Sequence, residues 1–169
     1  MKLPMSKSFK SFAILLIAVY ANVHWARAQN DTKKQPLEAC SNVKGIKAPQ
    51  LYGEWQVTFT NPPAGLPTSA VMRLEKHEEF ADSLAGNVSR SPVTAAGHAA
   101  KAALAGDVED GFVILDESSD NISISGTWNG ELVQSSCGRE VKGAWKDTSA
   151  SAPADAPDVL FTMLKRPGW

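Results

Sequence analysis

A short pattern, in which one glycine lies between two apolar residues with a single spacer on each side, occurs five times in this chain. Three successive copies are twenty residues apart, about the length of two short strands with their turns. Glycine inside a strand is costly unless a sharp bend or close packing requires it. The pattern therefore favours consecutive β-hairpins with tightly curved strands. The five copies are centred on Gly53, Gly86, Gly106, Gly126 and Gly143.

Alternation of apolar and polar residues predicts eight or nine strands. It is clearest at Leu51–Thr60, where the odd positions are apolar or glycine and the even positions are mostly polar. The opposite phase at Asn121–Trp128 predicts a second clear strand. A short extended piece at 131–136 is expected to continue through a bulge at Cys137-Gly138. Weaker alternation predicts strands at 69–76, 83–90, 101–109, 111–117, 139–146 and 158–165.

The expected connections between these strands are short. Asp110-Gly111 and Asn129-Gly130 are typical of two-residue hairpin turns because both dipeptides accept positive φ. The proline-rich stretch Asn61–Pro67 cannot lie within a strand. Short antiparallel strands in sequence order form a meander, and closing it into a barrel removes its exposed edges. We therefore predict an all-β, antiparallel, up-and-down barrel of about eight strands, with a β-sandwich as the alternative.

The N-terminal region has the features of a secretory signal peptide. Three lysines precede an apolar run of about ten residues, and the small residues Ala26 and Ala28 form a cleavage site. The run is too short to span a bilayer, which needs about 20 residues. We expect a signal peptide at 1–28, a partly disordered segment at 29–48 and one barrel domain at 49–169. The mature protein would be periplasmic or extracellular, without a stable membrane anchor.

The charge and the cysteine content of the chain exclude some classes of function. Cleavage removes four basic residues and no acidic ones, which takes the formal net charge from −1 to −5. An acidic protein is a poor partner for nucleic acid, which needs a basic face. Two cysteines remain, and an even count in an oxidising compartment predicts a disulfide between Cys40 and Cys137. We expect a soluble monomer.

The sequence offers no catalytic constellation. After cleavage the histidines are His77, in a polar turn among carboxylates, and His98, and a metal site needs three or four convergent ligands. The acidic pairs Glu109-Asp110 and Asp116-Glu117 are expected to be solvated charges at hairpin ends. No serine lies in a Gly-x-Ser-x-Gly elbow, and no glycine-rich phosphate loop leads into a helix. We therefore expect no enzyme activity, cofactor or metal.

The residues Gly53-Glu-Trp55 at the start of the first predicted strand resemble the Gly-x-Trp start of lipocalin and calycin barrels. The size, signal peptide, single disulfide and later Gly-x-Trp strands are similar to those of bacterial periplasmic inhibitors of secreted metalloproteases. This resemblance implies a calycin-type barrel over residues 45–166 and an inhibitory N-terminal tail. The chain departs from that family in two features, because Cys137 is late in the sequence and the segment 29–49 is long and charged.

Two functions are compatible with these observations. The first is inhibition or neutralisation of a protein partner such as a protease or toxin, with contacts from the N-terminal tail or from the turns at Asn61–Pro67 and Asp110-Gly111. The second is carriage of a small apolar ligand in a pocket lined by Trp55, Trp128 and Trp145. Ordinary core packing is the simpler interpretation of these tryptophans, since the interior of an eight-stranded barrel is often filled by side chains.

Overall fold

Eight antiparallel strands in sequence order close into a barrel in the computed structural model, which describes residues 42–90 and 100–168. Each strand pairs with the next along the chain, and the last strand pairs with the first. The predicted all-β meander and its closure are confirmed, and the sandwich alternative is wrong. The strands are β1 Gly53–Phe59, β2 Ser69–Lys76, β3 Leu84–Arg90, β4 Lys101–Glu109, β5 Phe112–Ser118, β6 Gly126–Leu132, β7 Glu140–Asp147 and β8 Val159–Lys165.

A short helical segment covers one end of the barrel. It comprises a 3-10 helix at Val43–Gly45 and a one-turn α-helix, α1, at Ala48–Leu51. The side chain of Val43 lies against the turn between β4 and β5, and Ile46 lies against the connection between β6 and β7. We call this the helix end. Within the described residues, no helix is long and apolar enough to cross a membrane.

The opposite end, which we call the loop end, carries the connections β1–β2, β3–β4, β5–β6 and β7–β8. The second of these includes residues 91–99, which lie outside the described part of the chain. The predicted signal peptide at 1–28 and the cysteine Cys40 also lie outside it. The predicted disulfide between Cys40 and Cys137 therefore stays a prediction.

The repeated glycines permit close approach between neighbouring strands. A Cβ atom added to Gly86 would lie 1.9 Å from the carbonyl oxygen of Arg73, and one added to Gly106 would lie 2.0 Å from that of Ile114. No side chain fits at such a distance, so only glycine allows the strands to coil this tightly. The apolar residue two positions after the glycine is buried in all five copies. The apolar residue two positions before the glycine is also buried in four of the copies. In the fourth copy this residue is Ile124, which precedes β6 and is 51% exposed.

The strand predicted at Asn121–Trp128 is wrong in its first half. Residues 120–123 form a turn instead, because the carboxylate of Asp120 accepts hydrogen bonds from the backbone N–H groups of Ile122 and Ser123. This side-chain bonding competes with strand pairing, as is common for aspartate in turns. The apolar alternation at these positions therefore belongs to a turn and not to a sheet.

The hairpin predicted at Asn129-Gly130 is also wrong, because both residues lie inside β6. Gly130 faces the interior, where an added Cβ would lie 2.5 Å from a methyl group of Val141 and 3.2 Å from the ring of Phe161. Interior packing therefore accounts for this glycine. The turn predicted at Asp110-Gly111 is confirmed, with φ angles of 49° and 89°.

The extended piece predicted at 131–136 ends early. A 3-10 helix at Gln134–Ser136 follows β6, and both Cys137 and Gly138 then adopt positive φ. The hydroxyl of Ser136 donates to the carbonyl of Val133 and accepts from the N–H of Glu140. A closed turn therefore replaces the predicted bulge between β6 and β7.

Candidate functional site

A buried ion pair lies inside the barrel near the loop end. Arg90 ends β3, and Glu117 lies near the end of β5. The guanidinium donates two parallel hydrogen bonds, 2.8 Å from Nη1 to Oε1 and 2.6 Å from Nη2 to Oε2. The two residues are only 2% and 3% exposed. The strand between them, β4, carries the small residue Ala102 at a buried position near this end, which leaves room for the pair.

Two indole groups complete the hydrogen bonding of the Glu117 carboxylate. Trp128 and Trp145 each donate from Nε1 to Oε2, at 3.0 Å and 3.2 Å, so this oxygen accepts three hydrogen bonds in all. The guanidinium carbon of Arg90 lies 5.8 Å and 5.4 Å from the two indole ring centres, within cation–π range. A buried charge needs compensation of this kind. We call these four residues the Arg–Glu–Trp cluster.

Two phenylalanine rings pack on the Arg–Glu–Trp cluster from β1 and β8. The ring centre of Trp128 is 5.6 Å from that of Phe59 and 5.2 Å from that of Phe161. The two tryptophan ring centres are 6.2 Å apart. Tilted and edge-on contacts at these separations are favourable for aromatic rings. At this level, the protein's own side chains occupy the barrel interior.

Gly126 allows the Trp145 indole to reach the carboxylate. It lies on β6 directly opposite Glu117 of β5, and a Cβ at this position would be 2.6 Å from the Nε1 atom of Trp145. The indole therefore passes over the backbone where a side chain would otherwise stand. The glycine in the fourth copy of the sequence pattern thus has a specific role in assembling the buried cluster.

The third predicted pocket residue, Trp55, lies towards the helix end. Its Nε1 donates to the carbonyl of Leu51 at 2.9 Å, and the ammonium of Lys165 lies 5.9 Å from its ring centre. Lys165 also donates to the carbonyl of Gln50 at 2.6 Å. Burial, and then the nearby Arg139, lower the pKa of Lys165. The structure thus brings together two of the three tryptophans, and a ligand pocket among them stays a prediction.

A rigid turn at the loop end presents exposed apolar side chains. One carboxylate oxygen of Asp120 accepts from the backbone N–H groups of Ser123 and Ile122 at 2.8 Å each. These bonds, with weaker ones from the hydroxyls of Ser123 and Ser118, lower the pKa of Asp120 to about 2. Ile122 is 89% exposed on this turn, and Ile124 is 51% exposed. The turn therefore holds two isoleucines towards solvent.

The described connections at the loop end are acidic and apolar. Residues 60–68, 119–125 and 148–158 contain three charged residues, all of them acids, and no lysine or arginine. The predicted contact turn at Asn61–Pro67 belongs to this end, whereas Asp110-Gly111 lies at the helix end. The three acids are Asp120, Asp155 and Asp158.

The predicted polar turn around His77 lies between β2 and β3. The Nδ1 atom of His77 accepts hydrogen bonds from the backbone N–H groups of Glu79 and Phe80, at 3.1 Å and 3.3 Å. In the part of the chain that the structure describes, no three His, Cys, Asp or Glu residues are grouped so as to hold a metal ion. The other predicted candidate, His98, lies outside that part.

Sequence reasoning missed the two charged members of the Arg–Glu–Trp cluster. Glu117 was expected to be a solvated charge at a hairpin end, but it is buried, since its position on β5 faces the barrel interior. Its place in the alternation gave a usable signal, because it follows Val113 and Leu115 in the same phase. A charged residue at an inward position of a strand indicates a buried partner.

No protein-family model matches this chain, and no curated protein matches it significantly. The closed, eight-stranded antiparallel barrel is compatible with a lipocalin-like fold.

Proposed function

We propose that this protein is an exported, non-enzymatic binding protein that inhibits or neutralises a protein partner, such as a secreted protease or toxin, through its loop end. The observation that carries this proposal is Ile122, which is 89% exposed on a turn held by the bonds of Asp120. A preorganised apolar side chain loses little conformational entropy on binding. It is suited to fill a pocket on a partner as an anchor residue.

The charge of the three described connections at the loop end, which do not include the exposed Lys101 at the start of β4, indicates the chemistry of the partner. Its described connections carry acids and no bases, around the apolar Ile122 and Ile124. Complementary charges favour specific association and raise the association rate. The partner surface would therefore offer an apolar pocket within a basic rim. Because exposed charges are screened by salt, binding should weaken as ionic strength rises.

The filling of the barrel interior by side chains supports recognition on the outside of the barrel. Near the loop end, the Arg–Glu–Trp cluster and two phenylalanine rings occupy the space that a ligand would need. The resemblance of the sequence to periplasmic inhibitors of metalloproteases supports inhibition as the activity. In that family an N-terminal tail makes inhibitory contacts, and residues 29–41 of the corresponding segment 29–49 lie outside the described part of the chain.

The test is a tight-binding inhibition assay. Purified residues 29–169 would be titrated into individual secreted peptidases of the source organism, each with a fluorogenic substrate. We expect stoichiometric loss of activity for one of them, and a rise in the inhibition constant of about tenfold or more for Ile122→Asp. The matched control is Phe80→Asp, which places the same charge at a 59% exposed apolar position on the opposite end.

Two results would count against this proposal. If no peptidase or co-expressed toxin is affected, inhibition is the wrong activity. If one is inhibited equally by the wild-type protein, the Ile122→Asp variant and the Phe80→Asp variant, the loop end is not the contact surface.

One observation favours the second function, carriage of a small ligand. The Nε atom of Arg90 is buried and has no hydrogen-bond partner among the described residues. A carbonyl or carboxylate oxygen of an amphipathic ligand would satisfy this donor. Titration of the protein with fatty acids tests this function, because a carrier would show saturable binding near one equivalent.

A further inference from the structure

A second exposed apolar surface lies on the side of the barrel, away from the loop end. The described residues include seven large apolar side chains that are at least half exposed, and four of these project outward from β5 and β8. They are Phe112, Ile114, Leu160 and Leu164, with exposed fractions between 50% and 59%. We call the outward-facing side chains of β5 to β8 the outer wall. We propose that the outer wall is a two-fold contact surface that binds a second copy of this chain.

The strand register indicates that the partner on the outer wall is a second copy of this chain. Two rows of outward-facing residues cross the four strands in the order β5, β6, β7, β8. One row is Ile114, Asn129, Ala144 and Leu160, and the other is Phe112, Glu131, Lys142 and Thr162. Each row carries a large apolar residue on β5. In the second row, an acid on β6 is directly opposite a base on β7.

This arrangement is self-complementary about a two-fold axis that runs in the contact plane, parallel to β6 and β7 and between them. Such an axis places β5 of one copy over β8 of the other, and β6 over β7. Ile114 then meets Leu160 of the second copy, and Glu131 meets Lys142 of the second copy, each contact occurring twice. Isologous contacts of this kind are the commonest basis of homodimers.

A groove on the outer wall lies beside the apolar residues of β5. It has a volume of about 330 Å³ and is bordered by Phe112 and Ile114. Its floor includes the outer backbone face of Gly130 and Gly143, which are directly paired on β6 and β7. Leu160 of the second copy, being 59% exposed, would pack against Ile114 on the β5 side of this groove. The β5 side of the groove therefore offers apolar surface to an outward side chain of the second copy.

The contact area between the two copies sets the expected affinity of the dimer. Four strands spaced about 4.8 Å apart, each about seven residues long at about 3.3 Å per residue, make a contact of roughly 20 by 23 Å on each copy, or roughly 900 Å² over both copies, which is at the low end for specific protein interfaces. We therefore expect a reversible dimer with a dissociation constant of about 10–100 µM. This proposal departs from the monomer expected from the sequence. It is independent of the proposed inhibitory function, which uses the loop end.

Sedimentation equilibrium of residues 29–169 over a concentration series tests the dimer. We expect Leu160→Lys and Ile114→Lys each to raise the dissociation constant by about tenfold or more, since a desolvated lysine would face an apolar side chain of the other copy. The matched control is Phe80→Lys, at an exposed apolar position outside the outer wall, which should leave dimerisation unchanged. Circular dichroism would establish that all variants are folded.

A charge exchange distinguishes contact between copies from effects within one copy. Glu131→Lys gives a wall with two lysines at the central positions, and Lys142→Glu gives a wall with two glutamates. Each variant alone should dimerise more weakly than the wild-type protein. In a mixture, every contact between unlike copies pairs a lysine with a glutamate. We therefore expect a heterodimer that is at least about tenfold tighter than either homodimer.

The proposal is overturned if the wild-type protein remains monomeric at concentrations approaching 1 mM, which corresponds to only about −4 kcal/mol of association free energy. It is also overturned if a dimer forms that Leu160→Lys and Ile114→Lys leave intact. A mixture of the two charge variants with no heterodimer would refute the register of the contact.

Discussion

The most informative single change is Glu117→Gln, which keeps the shape of the side chain and removes its charge. The wild-type carboxylate accepts two bonds from Arg90 and one from each indole. If the glutamine oxygen takes the position of Oε2, its amide group takes the position of Oε1 and points hydrogens at Nη1 of Arg90. The substitution therefore leaves a guanidinium that is only 1% exposed without a counter-charge and with a donor facing a donor.

The expected cost follows from this burial. Removing one partner of a buried ion pair destabilises proteins by about 3–5 kcal/mol, because the remaining charge is uncompensated. A domain of this size has a total stability of about 5–15 kcal/mol. We therefore expect Glu117→Gln to remove a large part of the free energy of unfolding. The double variant Arg90→Met with Glu117→Gln should recover part of this loss, because it carries no buried charge.

Urea unfolding followed by tryptophan fluorescence measures these changes, since two of the reporting indoles belong to the cluster. The control is Glu109→Gln, which removes the same charge from an exposed position on β4 and should change stability by less than about 0.5 kcal/mol. A loss below about 1 kcal/mol for Glu117→Gln would refute the assignment of Glu117 as the buried counter-charge of Arg90.

Two further predictions concern the glycine pattern and the β5–β6 turn. Gly126→Ala should destabilise the barrel by about 1–3 kcal/mol and change the near-ultraviolet circular dichroism, because its Cβ would displace the indole of Trp145, whereas Gly45→Ala has open space and should not. The backbone bonds that lower the pKa of Asp120 from 3.8 to about 2 form with its charged side chain. They should therefore persist as pH falls below 3.8 and be lost only as pH passes through about 2. NMR titration of the Ile122 amide measures this, and a midpoint at 3.8 would contradict it.

Much of the barrel could be predicted because its strands follow simple rules. The bounds of β2 and β4 match the predicted 69–76 and 101–109, since each has a polar turn beyond it and an apolar phase that, although weaker than that of β1, holds along its length. The start of β6 could not be predicted in the same way. Ile122 and Ile124 alternate like strand residues, but the local bonds of Asp120 hold the chain in a turn.

The candidate site was harder to predict than the fold because its ion pair forms across the barrel. Arg90 and Glu117 are 27 positions apart in sequence, on strands that are not neighbours in the sheet. No local spacing rule connects them. The two tryptophans could be placed inside the barrel from their phase, but their shared hydrogen-bond acceptor became evident only from the register that pairs β5 with β6 and β6 with β7.

The protein's own side chains occupy the interior near the loop end, and we propose that recognition takes place on the outside of the barrel. The most direct test follows the indole N–H signals of Trp128 and Trp145 by NMR during titration with oleic acid. We expect both signals to keep their positions, because Glu117 already accepts hydrogen bonds from both indole donors. Saturable shifts of both signals at one equivalent would contradict it and would identify the protein as a carrier.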